Sequence, residues 1–287
     1  MKISDLPHVR MYEPERIAKA FDVRKPGTMP APGENMMIIA CDHPARGALA
    51  AGDDPMAMSN REDLLERCVA ALARPGVTGF LGTADIIEDL TLLGALEGKL
   101  VFGSMNRAGL QGSSFEMDDQ FNCYDAHGIV AAGLDGGKTL TRINMQDPAT
   151  PDTLHATSQA INELAEHRKP IMVEPFISHW HDGRITNELT PDAVIRSIAI
   201  ASGLGRTSAY TWLKLPYVDD MERVMASCPL PALILGGEVP ADPEAALVGW
   251  ASAMSLPHVF GLVIGRSLLY PRHGDVERAV DEAVELL

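Results

Sequence analysis

Short apolar runs rich in β-branched residues recur along most of this 287-residue chain, and stretches with helical periodicity separate them. Eight runs read as strands: 36–40, 77–82, 100–103, 139–143, 171–174, 210–215, 232–235 and 261–264. The helical stretches are 61–73, 85–96, 152–167, 191–202, 219–226, 243–254 and 275–286, with a weaker one at 124–132. Asn60 or Ser59 is placed to cap the first of these, and Thr190 followed by Pro191 is a capped start with proline in the first turn. The strands are apolar throughout rather than alternating, which is the pattern of a sheet covered on both faces. Strands that alternate with helices require parallel crossovers. Eight such units in about 250 residues fit an α/β chain folded as a (β/α)8 TIM barrel. A doubly wound open sheet is the competing arrangement. No GxGxxG follows the first strand, which counts against a dinucleotide-binding version of it.

Residues 1–35 precede these units and form a short N-terminal extension. A brief helix fits 14–21, and the Pro/Gly-rich stretch RKPGTMPAPGEN cannot be a long regular element. The expected organisation is this extension followed by a single barrel domain, 36–287. The extension can plug the barrel bottom or join an interface between copies, and a homo-oligomer is the prior for such a chain.

Composition removes several classes. Hydrophobic residues make up 46% of the chain, too many for a disordered protein at this charge. Lys+Arg number 24 against Asp+Glu 39, a formal charge of −15 that repels nucleic-acid backbones. Cys41, Cys68, Cys123 and Cys228 are scattered with no CxxC pair, so reduced thiols in a cytoplasmic protein are expected. The first residues have no apolar core of a signal peptide, and no apolar run approaches membrane-spanning length.

In a TIM barrel the C-terminal strand ends form the active face. That rule orders the polar residues into a ring: Asp42 and His43 after the first strand, Ser104 to Arg107 after the third, Lys138 and Arg142 on the fourth, Glu174 on the fifth, Lys214 on the sixth. Gly236, Gly237 and Glu238 follow the seventh strand, and Gly265 and Arg266 the eighth. Lys214 stands out. The chain has only seven lysines, and this one lies between Trp212, Leu213, Leu215 and Pro216. A lysine inside an apolar strand is costly unless paired, and burial favours the neutral amine that attacks carbonyls. The competing reading is a structural lysine paired with Glu174. Lys138 can depress the pKa of Lys214 or hold an anion, and Asp42 or Glu174 can move protons. His43, Arg142 and His181 are candidate substrate contacts. The glycines with Arg266 suit a phosphate, which many barrels hold at this corner. The histidines lack metal-ligand spacing, so neither a metal nor another cofactor is expected.

Six segments carry a family resemblance: CDHPARG, GGKTLTR, MVEPF, WLKLP, LILGGE and GLVIGRSLL. Together they resemble the class I aldolases of the deoxyribose-phosphate, tagatose-bisphosphate and archaeal-type fructose-bisphosphate group, over roughly residues 36–270. The likeness is nearest to an actinobacterial putative-aldolase branch linked to inositol catabolism. It implies a Schiff base on Lys214, chemistry at Asp42, and a distal phosphate at Gly236, Gly237 and Gly265. Lys138 and Glu174 resemble residues of the tagatose-bisphosphate branch. DHP replaces the family's DHG-like segment, and KLPYV replaces the KTSTG typical of the deoxyribose-phosphate branch. The expected function is cleavage or formation of a C–C bond in a phosphorylated ketose or keto-sugar acid, an aldehyde-lyase reaction with a small sugar phosphate as the partner. The alternatives are a sugar-phosphate isomerase or epimerase and a non-catalytic sugar-phosphate-binding barrel.

Overall fold

The computed structural model describes all 287 residues. Nine strands form the sheet: β1 (Met36–Cys41), β2 (Gly79–Gly82), β3 (Leu100–Ser104), β4 (Gly136–Ile143), β5 (Ile171–His181), β6 (Arg184–Asn187), β7 (Thr211–Pro216), β8 (Ala232–Leu235) and β9 (Val259–Ile264). Their order is β4-β3-β2-β1-β9-β8-β7-β5-β6, with β4 also paired to β5. Eight parallel strands therefore close on themselves, and β6 stands outside the ring, antiparallel to the end of β5. This is the (β/α)8 TIM barrel expected from the alternation of strands and helices.

The helices are α1 (Leu6–Tyr12), α2 (Glu15–Val23), α3 (Arg61–Leu72), α4 (Ala84–Leu92), α5 (Ala126–Ala131), α6 (Thr150–Glu166), α7 (Pro191–Ser202), α8 (Met221–Ala226), α9 (Pro243–Met254), α10 (Arg266–Leu269) and α11 (Val276–Val284). Asn60 caps α3 by accepting from the Glu62 and Asp63 amides, and Thr190 caps α7 through the Ala193 amide. Two expected helices are shorter than their periodicity suggests. Asp220 adopts a left-handed φ of 54°, which delays α8, and Gly94 at φ 75° follows the end of α4. No helix is long and apolar enough to cross a membrane.

The core has two layers because successive strand residues face opposite sides. Met37, Ile39 and Cys41 of β1 point outward and join helix residues such as Leu65, Ile87 and Val280. Met36, Ile38 and Ala40 point inward, where they meet Phe102, Met172 and Val263. The interior is packed side chain rather than a channel, as in barrels of this type generally.

The N-terminal extension lies against the outside and bottom of the barrel. Arg10 of α1 pairs with Asp89 of α4 at 2.5 Å. Arg24 donates to the Lys99 carbonyl at 2.9 Å and to the Gly133 carbonyl at 3.0 Å, just ahead of β3 and β4. The segment ends beside the C-terminus, where Asn35 Nδ2 donates to the Leu287 carbonyl at 3.0 Å.

One element was not expected from the strand pattern. β5 continues to His181 and turns back through Asp182 and Gly183, with φ of 48° and 74°, into β6. Two residues with positive φ make the type I′ hairpin turn that Asp-Gly favours.

Barrel closure depends on Gly261, which sits opposite Met36 where the last strand meets the first. Its φ is 149°, and a Cβ there would fall 2.1 Å from the Met36 carbonyl oxygen. Gly261→Ala is expected to lose more than ~2 kcal/mol in urea unfolding. Gly33→Ala, at φ +93° with open space around it, is expected to lose about 1 kcal/mol. Equal losses would show that closure does not rest on this contact.

Candidate active site

The strand periodicity that separates core from helix layer also gathers the polar residues. Positions 36, 38 and 40 of β1 face inward, and Asp42 continues that series past the strand end. Ser104 of β3, Lys138 and Arg142 of β4, Glu174 of β5 and Lys214 of β7 share the inward parity of the apolar residues below them. β5 lies between β4 and β7 in the sheet, so Glu174 has a lysine-bearing strand on either side.

Glu174 is shared by two ammonium groups. Lys138 Nζ lies 2.5 Å from Glu174 Oε2, and Lys214 Nζ donates to Glu174 Oε1. Lys138 also donates to Asp42 Oδ2 at 3.3 Å. Asp42 in turn accepts from Ser104 Oγ at 3.1 Å and pairs with the Arg107 guanidinium, whose Nε donates to Ser104 Oγ at 2.8 Å. The result is a continuous chain, Lys214–Glu174–Lys138–Asp42–Arg107. Every member is buried, with Lys138 at 2% exposure and Glu174 at 7%.

Three cations face two carboxylates in this group, all largely removed from water. Burial would raise the Glu174 carboxyl, but the charges of Lys138 and Lys214 overcome it and hold it at about 2. Burial likewise opposes ionisation of Asp42, and Arg107 and Lys138 overcome it, leaving Asp42 well below the usual carboxylate range. The cationic surplus falls on Lys138. Burial and the nearby Arg107 bring it down to about 8, despite the opposing pull of Asp42 and Glu174. His43, beside Asp42, is pushed down to about 3 by loss of solvent and by the Arg266, Lys214 and Arg107 charges, which outweigh Asp42. Its imidazole is therefore neutral near pH 7.

The far side of the mouth is built from backbone. Gly237 adopts φ +67°, and a Cβ on Gly265 would strike the Ala40 carbonyl at 2.4 Å and His43 Cε1 at 3.1 Å. A Cβ on Gly236 would enter Ile264 at 2.5 Å. The amides of Gly236, Gly237 and Gly265 donate to no acceptor within the protein. Arg266 stands next to them with a buried, unpartnered Nε. Leu140, Phe176 and Leu235 add an apolar patch inside the mouth.

Among the expected site residues, Lys214, Glu174, Lys138 and Asp42 converge directly. His43 adjoins them, and Gly236, Gly237, Gly265 and Arg266 gather at the β8 and β9 ends. Arg142 reaches the mouth but is already occupied: Glu116 Oε1 lies 3.0 Å from its guanidinium, and the Glu116 carbonyl accepts from it at 3.1 Å. His181, expected against substrate, is a correction. β5 carries it out along the hairpin, its side chain is 80% exposed, and it meets only Asp182, at 3.5 Å. His179 is on the same hairpin and pairs with Glu188 at 2.9 Å.

Sequence reasoning placed Arg107 at the third strand end but missed its pairing with Asp42 and the contacts that order the segment after it. Arg46 donates to the Gly109 and Asn106 carbonyls at 2.8 and 3.0 Å and pairs with Asp119. Asn106 Nδ2 reaches Asp119 at 2.9 Å and the Leu140 carbonyl at 2.7 Å. The signal available was length, since an irregular connection of this size inside a compact domain is usually functional.

A family model described as Cgl0159-like matches residues 34–284. The crystal structure of Cgl0159 from Corynebacterium glutamicum (Brevibacterium flavum) is 52% identical, with a TM-score of 0.96 over 99% of this chain and 95% of that one. A Schiff-base-forming fructose-1,6-bisphosphate aldolase is 17% identical, with a TM-score of 0.65 over 94% of this chain and 99% of that one. An archaeal fructose 1,6-bisphosphate aldolase is also 17% identical, with a TM-score of 0.63 over 94% and 98%. At that identity the likeness to the aldolases concerns the barrel. No functionally curated protein matches the sequence.

Glu174→Gln leaves two buried ammonium groups without their shared counter-charge. The expected loss is about 3 kcal/mol or more in urea unfolding at pH 7. Glu174 is ionised in the fold down to about 2, against an ordinary value of 4.5. Its contribution is therefore fully present above pH 4.5 and lost as pH falls through about 2. The gap between wild type and variant should shrink over that window. A gap independent of acid pH would show that Glu174 does not act through its charge.

Proposed function

The chain belongs to the Cgl0159-like family, and we propose that it is a class I aldolase, making or breaking a C–C bond in a phosphorylated ketose or keto-sugar acid through an imine on Lys214. The observation that carries this reading is the sharing of Glu174 by two buried lysines at the mouth of a barrel. One lysine would satisfy the carboxylate. A second amine at the same carboxylate, with Arg107 close by, adds a positive charge that burial disfavours. Such a group stabilises the fold poorly, but it suits a site that needs a neutral amine beside a proton carrier.

In the cleavage direction the Lys214 amine attacks the substrate carbonyl carbon and forms a C–N bond. The carbonyl oxygen takes up protons and leaves as water, giving an iminium. The β-hydroxyl proton then passes to the Glu174 carboxylate as the C–C bond breaks and its electrons move into the enamine. An aldehyde departs. Glu174 returns the proton to the enamine carbon, and water hydrolyses the imine to free Lys214. Lys138, titrating near 8 and within reach of Glu174, supplies a proton to the departing oxygen and recovers it afterwards. Asp42 is already engaged by Arg107, Lys138 and Ser104; it orients a substrate hydroxyl. The free amides of Gly236, Gly237 and Gly265, with Arg266, form the phosphate end.

Borohydride added during turnover is expected to fix the carbonyl fragment on the protein as a secondary amine, with peptide mapping placing it at Lys214. Lys214→Met should lose the adduct and reduce kcat by about a thousandfold or more. Glu174→Gln should still form an adduct but turn over about 100-fold slower. A substrate that is turned over without any trapped adduct would sink the imine mechanism.

A further inference from the structure

Two arginines stand over the Lys138–Glu174–Lys214 group, and the fold treats them differently. Both feel the charge of Glu174. Arg266, after β9, has one ion-pair partner, Glu238, at 3.9 Å, and that side chain is 84% exposed. Water screens such a pair, so Arg266 and the free glycine amides beside it remain available to an anion.

Arg142, at the end of β4, is covered. Glu116 meets its guanidinium at 3.0 Å with only 5% of the Glu116 side chain exposed. Glu116 is fixed in turn, because Oε2 accepts from the Gly112 amide at 2.7 Å. Asp119 lies nearby, buried, and accepts from Asn106 Nδ2 and the Gly109 amide, each at 2.9 Å, while pairing with Arg46. The charges on this side cancel, Arg142 and Arg46 against Glu116 and Asp119. A phosphate dianion arriving here would face two carboxylates that little water screens. The Arg142 Nε is buried and has no partner, and the guanidinium N–H groups not turned to Glu116 remain beside it. With the charge of Arg142 already met by Glu116, these donors suit a neutral oxygen, a hydroxyl or a carbonyl.

Resting on the aldolase reading above, we propose that Glu116 is a specificity-determining residue that restricts the site to substrates phosphorylated at one end only. The phosphate sits at Arg266 and the glycine amides, and a neutral, hydroxylated end lies toward Arg142. Bisphosphates are rejected by Glu116 and Asp119.

The test uses sugar alcohols, which have no carbonyl and bind without forming an imine. Titration calorimetry compares glucitol 6-phosphate with glucitol 1,6-bisphosphate. Wild type is expected to bind the bisphosphate about tenfold or more weakly than the monophosphate. Glu116→Gln removes the charge and keeps one of the two accepting oxygens; it should leave the monophosphate within about twofold and tighten the bisphosphate about tenfold. A bisphosphate that binds wild type as tightly as the monophosphate overturns the proposal, as does a folded E116Q with an unchanged ratio. If E116Q does not fold, the wild-type ratio decides alone. Failure of both ligands to bind also overturns it, while borohydride trapping at Lys214 tests the imine chemistry separately.

Discussion

Glu174 lies on the middle strand of three, and the strands on either side each bring a lysine to it. That arrangement places demands on the rest of the barrel. Parallel pairing sets Leu140 opposite Glu174 and Val173 opposite Leu213, so both ammonium groups arrive on the inner face near one carboxylate. A slip of one residue in β5 would turn Glu174 into the helix layer and leave two buried cations unpaired. The apolar inner layer below holds that register. Met172 sits one inward position beneath Glu174 and packs with Met36, Phe102 and Val263. The packed interior thus does more than fill space; it fixes the height at which the charged group emerges.

Much of this was legible in the sequence because charge inside an apolar run is conspicuous. Lys214 and Glu174 each interrupt hydrophobic strands, Lys138 stands at the start of another, and the order of the strands around a barrel brings them together. Asp42 was legible for a related reason, as an abrupt carboxylate at the end of a wholly apolar strand. Glu116 and Asp119 were not. They lie in an irregular segment, among 39 acidic residues in the chain, and nothing local distinguishes a carboxylate that will be buried from one that will be solvated. Arg142 shows the same gap from the other side: its strand position was readable, its occupant was not. The β5–β6 hairpin carried a local signal in Asp182-Gly183, but the polar residues that follow Ile177 look like a loop. That reading placed His181 near substrate, whereas pairing with β6 holds it out in solvent.

The acidic exterior and the mouth make opposite demands. A net charge of −15 keeps anions at a distance from most of the surface. Inside the mouth, Lys138, Lys214, Arg107 and Arg266 outnumber Asp42 and Glu174. Water is scarce there, so this local excess outweighs the diffuse field of the surface. The field is also uneven across the opening. The β8 and β9 ends offer unpaired donors, while the β4 end is neutralised by carboxylates from the 105–125 segment. Net charge alone would not have revealed this asymmetry.

Burial of five charged side chains works against stability, since packed apolar residues of similar volume often serve a barrel as well or better. The neighbouring layers show that this chain can build such packing, because the residues directly below are Ala40, Phe102 and Met172. Sequences that specify a fold well break local rules chiefly where function requires it. Here the five linked charges share one level of one face, at the strand ends where barrels carry their chemistry. A structural ion pair would need only one cation for each carboxylate. The extra cation and the lowered Lys138 are what a proton-transfer site requires. The surplus charge is therefore what most distinguishes this group from an ordinary buried salt bridge.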